Sequence, residues 1–349
     1  MSGAAASVPR VTVLLPARDA AATLGRAVAS LRAQTFPDWE LLVVDDGSAD
    51  GTPELLAALG SDEPRLRVLR RPREGLVPAL NAGLAAARGE LIARMDADDE
   101  ALPDRLAEQV AWLDGPEGRS CGVVSCLVEH AGDPAAQAGY ARHVVWLNSL
   151  LTPEAIALRR FVDAPVAHPS VVFRRELVAR HGGYRAGDFP EDHELWLRWM
   201  DAGVAFGKVP RVLLRWHDLP GRLSRRDARY APEAFFRLKA EWIAGWLRAR
   251  PALAARPLLV WGAGRPTRLR AAALAAHGLR VAAYVDVDPA KITPALGGSG
   301  PPVLAPTALP PPGEAFVLAY VSSPGARDLI AADLTARGWT EGRDFLLCA

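Results

Sequence analysis

Three observations predict an α/β protein with two sheets. In the first hundred residues, short apolar runs and amphipathic stretches alternate four times, the pattern of right-handed crossovers that builds a mixed, mostly parallel and mostly buried sheet. The fourth apolar run ends on three closely spaced carboxylates, Asp96, Asp98 and Asp99. Beyond Pro251 and Pro257 the pattern starts again, with Leu258-Leu-Val-Trp261 running into Gly262-Ala-Gly264. A chain of 349 residues is also long for one core, so two domains are expected.

The first domain reads as follows. Val11 to Leu15 is a strand, stopped by Pro16. From Ala20 to Gln34, Leu24, Ala27, Val28 and Leu31 recur at helical spacing. Trp39 to Val44 is a second buried strand, ending in Asp45-Asp46-Gly47-Ser48, and Thr52 is an N-cap candidate with Pro53 at the first helical position. Leu66 to Leu69 is a third strand, and a helix from Leu76 to Ala87 leads through Gly89 to Leu91-Ile-Ala93. A helix from Pro103 to Asp114 and a strand from Cys121 to Val128 come next; Ala131 to Val162 reads as irregular, and Val212 to His217 is the closing strand.

The acidic tip after Ala93 has two readings. Ligands of such sheets bind beyond the carboxyl ends of the strands, and adjacent carboxylates repel one another unless a cation neutralises them. Oxygen-only ligands suit Mg²⁺ or Mn²⁺, with phosphate oxygens and water completing the shell. A solvated acidic turn that caps the next helix would use the same residues. Composition narrows the class. The net charge of +1 gives no hint of nucleic acid binding. The three cysteines, Cys121, Cys126 and Cys348, fit neither a zinc pattern nor an even disulfide set, which suits a reducing cytoplasm. No signal-like leader and no run of roughly 20 apolar residues is visible. A cytoplasmic protein, at most peripheral to the inner face of a membrane, is expected.

Four pieces in order carry a resemblance: Val11-Thr-Val-Leu-Leu-Pro16, Gln34-Thr-Phe-Pro-Asp-Trp-Glu40, Val43-Val-Asp-Asp-Gly-Ser48, and Asn81-Ala-Gly83 ahead of Arg94-Met-Asp-Ala-Asp-Asp99. Together they resemble the inverting family 2 glycosyltransferases, which have the GT-A fold. The resemblance implies a nucleotide-diphosphosugar-binding domain over residues 1–221 and a nucleotide-diphosphate sugar, most readily a UDP-sugar, as donor. Asp46 would accept hydrogen bonds from the base, with Asp45 as neighbour and Pro16 and Arg18 lining the groove. Asp96 would face the ribose and Asp98 the metal, Asp99 sharing or replacing that role. His217 would be a third metal ligand. Pro190-Glu-Asp-His-Glu-Leu-Trp-Leu-Arg198 matches the family's Glu-Asp pair before an aromatic-rich helix, which implies Asp192 as general base with Glu191 beside it. His168, next to Pro169, would have extended backbone and would be a structural histidine or a substrate contact. The acceptor would be a glycan, a lipid-linked or a small-molecule hydroxyl. The alternatives are a degenerate sugar-nucleotide-binding or regulatory protein and a sugar-phosphate nucleotidyltransferase. The latter would open with a glycine-rich basic loop, which Pro16-Ala-Arg-Asp19 is not.

Residues 222–256 are basic and aromatic, with Phe235, Leu238, Trp242 and Trp246 at helical spacing. They read as a helical connector packed between domains in preference to a membrane-surface helix. Residues 257–349 read as a small Rossmann-like module, with Asp286 after the second strand. Thr267 stands where a dinucleotide site wants its third glycine, which favours a structural or regulatory role. The strand–helix alternation closes before Pro251, so residues up to about 250 are expected to fold without the C-terminal segment.

Overall fold

The computed structural model describes residues 8–219, 221–293 and 300–349; the reading of the N-terminus as leaderless falls partly outside them. The chain forms two compact units, one of Met1–Ala157, Pro165–Ala186 and Arg198–Arg222, the other of Leu158–Ala164, Gly187–Leu197 and Leu223–Ala349.

Along the first part of the chain run β1 (Val11–Ala17), α1 (Leu24–Arg32), β2 (Trp39–Asp46), α2 (Thr52–Asp62), β3 (Leu66–Arg71), α3 (Leu76–Ala86) and β4 (Leu91–Arg94). After them come β5 (Glu100–Ala101), α4 (Arg105–Asp114), β6 (Cys121–His130), α5 (Ala138–Ser149), α6 (Pro153–Arg159), β7 (Val172–Arg174), α7 (Glu176–His181), α8 (Glu191–Asp201) and β8 (Ala205–Trp216). The sheet order is β3-β2-β1-β4-β7-β6-β8-β5. β1 lies parallel to β2 and β4, and β2 to β3; β7 runs antiparallel to β4 and β6, and β5 antiparallel to β8. Every residue of β1 and β2 is buried, as befits parallel strands covered on both faces.

Several local expectations change. Pro16 does not stop β1, which continues to Ala17 opposite Asp45. The pairing with β4 ends at Leu14, so Pro16 sits where one side of the strand is open and its missing N–H leaves no ladder bond unmade. Thr52 is the first residue of α2 behind Gly51. Its hydroxyl accepts the Ala20 N–H at 2.8 Å instead of capping its own helix. The stretch from 131 to 162, expected to be irregular, holds α5 and α6. Only Val144 and Leu147 of α5 are buried, too few to give a clear period. Tertiary bonds hold the helix instead: Asn148 bonds both backbone groups of Val128 on β6 (3.0 and 2.8 Å), and the buried Lys208 Nζ donates to the Leu147 carbonyl.

The second unit contains α9 (Pro232–Arg248), α10 (Pro251–Ala254), β9 (Leu258–Trp261), α11 (Arg265–Ala272), β10 (Val281–Val285), β11 (Val303–Leu304), β12 (Phe316–Ala319), α12 (Ala326–Ala336) and β13 (Phe345–Leu347). Its five strands are all parallel, in the order β11-β10-β9-β12-β13. Counted along this unit's own chain, that is third-second-first-fourth-fifth, an order in which doubly wound sheets are built. One face of α9 (Phe236, Ala240, Ile243, Trp246, Leu247) packs in the core made by Leu258, Val260, Phe316, Leu318 and Leu346. Lys239, buried on that helix, donates to the carbonyls of Val162 and Cys348, each at 2.8 Å. Among the described residues no helix is long and apolar enough to cross a membrane.

Candidate active site

The acidic turn begins where β4 ends. Arg94 closes that strand, Asp99 N–H turns back toward the Asp96 carbonyl, and Glu100 enters β5 opposite Arg215 of β8. The fold thus ties the turn at both ends to the sheet, and carboxylate oxygens of Asp96, Asp98 and Asp99 lie within 4.8 Å of one another. Asp99 is fully buried. Its Oδ1 accepts the His217 N–H at 2.9 Å, while its Oδ2 has no hydrogen-bond partner. Burial first, and then the charges of Asp96 and Asp98, raise the Asp99 carboxyl well above its ordinary range; burial and Asp96 raise Asp98.

Two arginines face this charge. Arg94, itself buried, pairs with Asp96. Arg222 places Nη2 3.9 Å from Asp96 Oδ2, and its Nη1 donates to the Tyr140 hydroxyl and the His217 carbonyl, each at 2.8 Å. Its guanidinium lies over the rings of Trp216 and Tyr140. Burial opposes that charge, but Tyr140 and the three aspartates outweigh it and hold Arg222 firmly protonated. The His217 ring bonds Glu100 Oε1 at 2.7 Å, and Arg26 stands 3.4 Å from the same oxygen. His217 therefore reaches the aspartates through its backbone N–H, and its imidazole is held on Glu100.

At the ends of β1 and β2 the loops are stitched together. Asp19, one of the few residues here with positive φ (49°), donates its N–H to Ser48 Oγ and accepts the Ala49 N–H. Asp is among the residues that tolerate this conformation, because its side chain bonds locally. Asp45 Oδ1 accepts the Ser48 N–H at 3.0 Å. Asp46 accepts N–H bonds from Glu74 (2.8 Å) and Gly75 (3.0 Å), and the exposed Arg18 stands 3.7 Å away. Gly75 sits at φ 100°, where a side chain would be strained, so the turn into α3 can present both N–H groups to one carboxylate. Pro16 lies in β1 opposite Val44. His168 opens the short 3₁₀ turn His168–Ser170, and its Nε2 pairs with the Tyr184 hydroxyl at 2.7 Å. Burial first, then Arg94, push its pKa well below the ordinary histidine value, so it is neutral.

In the second unit, Glu191 and Asp192 occupy the first turn of α8. Asp192 Oδ1 accepts the adjacent His193 N–H at 2.8 Å. Glu191 is buried, and its Oε2 accepts from the Tyr230 hydroxyl at 2.7 Å. Arg222 and Tyr230 fall in the run that the sequence reads as a basic, aromatic connector, where nothing marks either for a site, and neither Arg94 nor Tyr140 belongs to a candidate site in the sequence. An arginine in the last position of an otherwise apolar strand was the available signal for Arg94. Nothing local marks Tyr140.

The chain matches a family model described as glycosyl transferase family 2 over residues 12–182. It is 28% identical over 232 residues to EpsE of Bacillus subtilis, which carries a glycosyltransferase name, covering 64% of this chain and 79% of the relative. A glycosyltransferase of Haemophilus influenzae is 30% identical over 219 residues, 61% of this chain and 74% of the relative. In fold the chain is similar to a mannosyltransferase of Pyrobaculum calidifontis solved with GDP-Man and Mn²⁺. That likeness has a TM-score of 0.50 at 23% identity and spans 78% of this chain and 74% of the other.

Proposed function

The chain belongs to glycosyl transferase family 2 and is a glycosyltransferase of GT-A fold, and from that premise we propose that it moves a sugar from a nucleotide-diphosphate donor to a hydroxyl acceptor with inversion at the anomeric carbon. The observation that carries the reading is the cluster of half-buried Asp96 and Asp98 with fully buried Asp99, in which one oxygen of Asp99 has no donor. Three like charges with an unsatisfied buried oxygen fit a hard divalent cation, and an all-oxygen set suits Mg²⁺ or Mn²⁺. Asp98 and Asp99 would hold the ion, while Arg94 and Arg222 balance the charge of Asp96. When bound, the ion supplies Lewis-acid stabilisation of charge growing on the diphosphate. The P. calidifontis protein, bound to GDP-Man with Mn²⁺, is in keeping with this donor class.

The chain's own residues carry the remaining roles. Asp46 locks the turn before α3 by taking its N–H groups, which shapes the groove for the base. Arg18, exposed beside it, would meet the donor. Asp192 takes the proton from the acceptor hydroxyl as that oxygen attacks the anomeric carbon opposite the departing diphosphate. It stands in the first helical turn, where unpaired N–H groups favour a negative charge. The second unit's five-stranded sheet is read as Rossmann-like and structural.

The test pairs binding with turnover. UDP- and GDP-sugars are screened with Mg²⁺ or Mn²⁺ for thermal stabilisation, and the donor that stabilises most is used for transfer or slow hydrolysis. Asp192→Asn is expected to lower the rate about 10²–10⁴-fold and to leave donor affinity unchanged. Near-normal turnover would remove Asp192 from the role of base, and joint loss of donor binding would make it a donor-site residue.

A further inference from the structure

Two adjacent carboxylates at one helix start would compete for the same proton unless something distinguishes them. The hydroxyl of Tyr230 does so, donating to Glu191 Oε2 at 2.7 Å. We infer that Tyr230 is a positioning residue for the transfer: by committing Glu191 to one hydrogen bond and one orientation, it leaves the proton transfer to Asp192. The inference rests on the reading of Asp192 as the base.

The local architecture is built to hold that hydroxyl in place. Tyr230 ends the 3₁₀ turn Ala228–Tyr230, which Asp227 closes by accepting the Arg229 N–H at 3.0 Å. The same Asp227 carboxylate takes the Arg229 guanidinium on both oxygens, Nε at 3.1 Å and Nη2 at 2.8 Å. Bidentate pairs of this kind fix geometry as well as charge. Pro232 then starts α9 immediately after the extended Ala231, so the tyrosine is braced by a turn before it and a helix after it. The Phe235 ring on α9 stands 5.6 Å from the His193 ring on α8, joining the two elements at the residue after Asp192.

Burial makes the bond necessary. Glu191 is 2% exposed, and a carboxylate out of water requires a donor. Burial first, and then the charges of Glu191 and Asp192, push the Tyr230 phenol far above its ordinary range. It therefore stays protonated and donates at any working pH. Phenylalanine at this position would fill the same space and leave Glu191 without its donor and able to turn. A general base must sit within hydrogen-bond reach of its proton, and displacements of about 1 Å near a reacting centre cost up to about 10²-fold in rate.

The experiment uses the full-length protein and the UDP- or GDP-sugar selected by thermal shift with Mn²⁺. Tyr230→Phe should lower kcat about 10–100-fold with the donor KM within about twofold and the melting temperature little changed, a split that a merely structural tyrosine would not produce. Added to Glu191→Gln, Tyr230→Phe should cost little more, since two residues acting through one bond are not additive. Wild-type kcat in Tyr230→Phe, or full additivity with Glu191→Gln, overturns the inference. Should Tyr230→Phe fail to melt cooperatively, Asp227→Ala, which loosens the same turn, must show the kcat loss at unchanged donor KM, and wild-type kcat there overturns it too. Asp192→Asn is run in parallel: turnover retained in that variant defeats the base reading itself, whereas an inactive Asp192→Asn beside an unaffected Tyr230→Phe defeats only the role of Tyr230.

Discussion

Both units end a parallel strand on acid, and the two ends have opposite electrostatics. After β10, Asp286 accepts the N–H of Ala263 at 2.8 Å and of Asp288 at 3.0 Å, with Lys291 Nζ 3.4 Å away. Burial alone would raise this carboxyl, but those donors outweigh it and hold it below its ordinary value. The neighbouring turn is equally closed. Gly262 has φ 111°, and a Cβ there would lie 2.8 Å from Val321 and 3.0 Å from Thr267 Oγ1. After β4, in contrast, Asp98 and Asp99 are raised by burial and by like charge, and Asp99 Oδ2 has no donor. The same location in a sheet is self-satisfied in one unit and incomplete in the other. An incomplete buried charge costs stability and persists where a ligand completes it. This is why the first unit is the one assigned to donor and metal.

The comparison breaks most visibly under truncation. If the second unit is a self-contained packing unit that includes α9, ending the chain at residue 250 removes the sheet that covers Phe236, Ile243, Trp246 and Leu247. Exposing each such side chain forfeits about 1.5–3 kcal/mol. In contrast to the expectation from strand–helix alternation alone, the truncated protein should be insoluble or bind ANS and melt without a sharp transition. A soluble, cooperatively melting fragment would show that α9 does not depend on that sheet.

Opposite responses to one substitution sharpen it further. Asp286→Asn swaps an acceptor for an amide that cannot satisfy every N–H now on it. It should destabilise by about 1–3 kcal/mol and leave nucleotide binding untouched. Asp99→Asn keeps an oxygen for the His217 N–H and removes a repelled charge. It should raise the melting temperature in EDTA and abolish the stabilisation by Mn²⁺ plus UDP or GDP. If both substitutions destabilise alike and the Mn²⁺ response survives in Asp99→Asn, the contrast between the two strand ends is wrong.

The smallest effect is shared by the units. Each buries a neutral histidine: His168 is held well below its ordinary pKa, by burial and then Arg94, and His193 is lowered by burial to about 4. Unfolded histidine binds its proton near pH 6.5, so between there and about 4 the unfolded state carries more protons and folding stability falls as pH falls. For His193 the full loss is of order 3 kcal/mol. Urea melts at pH 7 and 5 should differ, and His193→Gln should reduce that difference without altering donor binding. An unchanged difference would mean that His193 is already charged in the folded protein.

Much of the fold was legible before any coordinates. Fully buried parallel strands are written as continuous apolar runs, so β1, β2 and β4 stood out, and the acidic turn was locatable because it follows one of them. The family resemblance pointed to Asp46, Asp96 and Asp98 through its four short motifs, and to Asp192 through the separate Glu191-Asp192 pair. Helix α5 was not legible, because it is held by Asn148 reaching to β6 and by Lys208 reaching from β8, and such bonds leave no period in the chain.

The site shows the same division. Residue type and strand position, both local properties, determined that carboxylates would gather at the end of β4. Only the folded chain decided that Asp99 would be fully buried, that its partner would be the backbone N–H of His217, that Arg94 and Arg222 would stand against Asp96, and that the His217 ring would turn to Glu100. Apart from the Arg94–Asp96 pair, which is local, those facts depend on segments more than a hundred residues apart meeting at one strand end. Burial and electrostatic field are sums over such neighbours, and no stretch of sequence contains them.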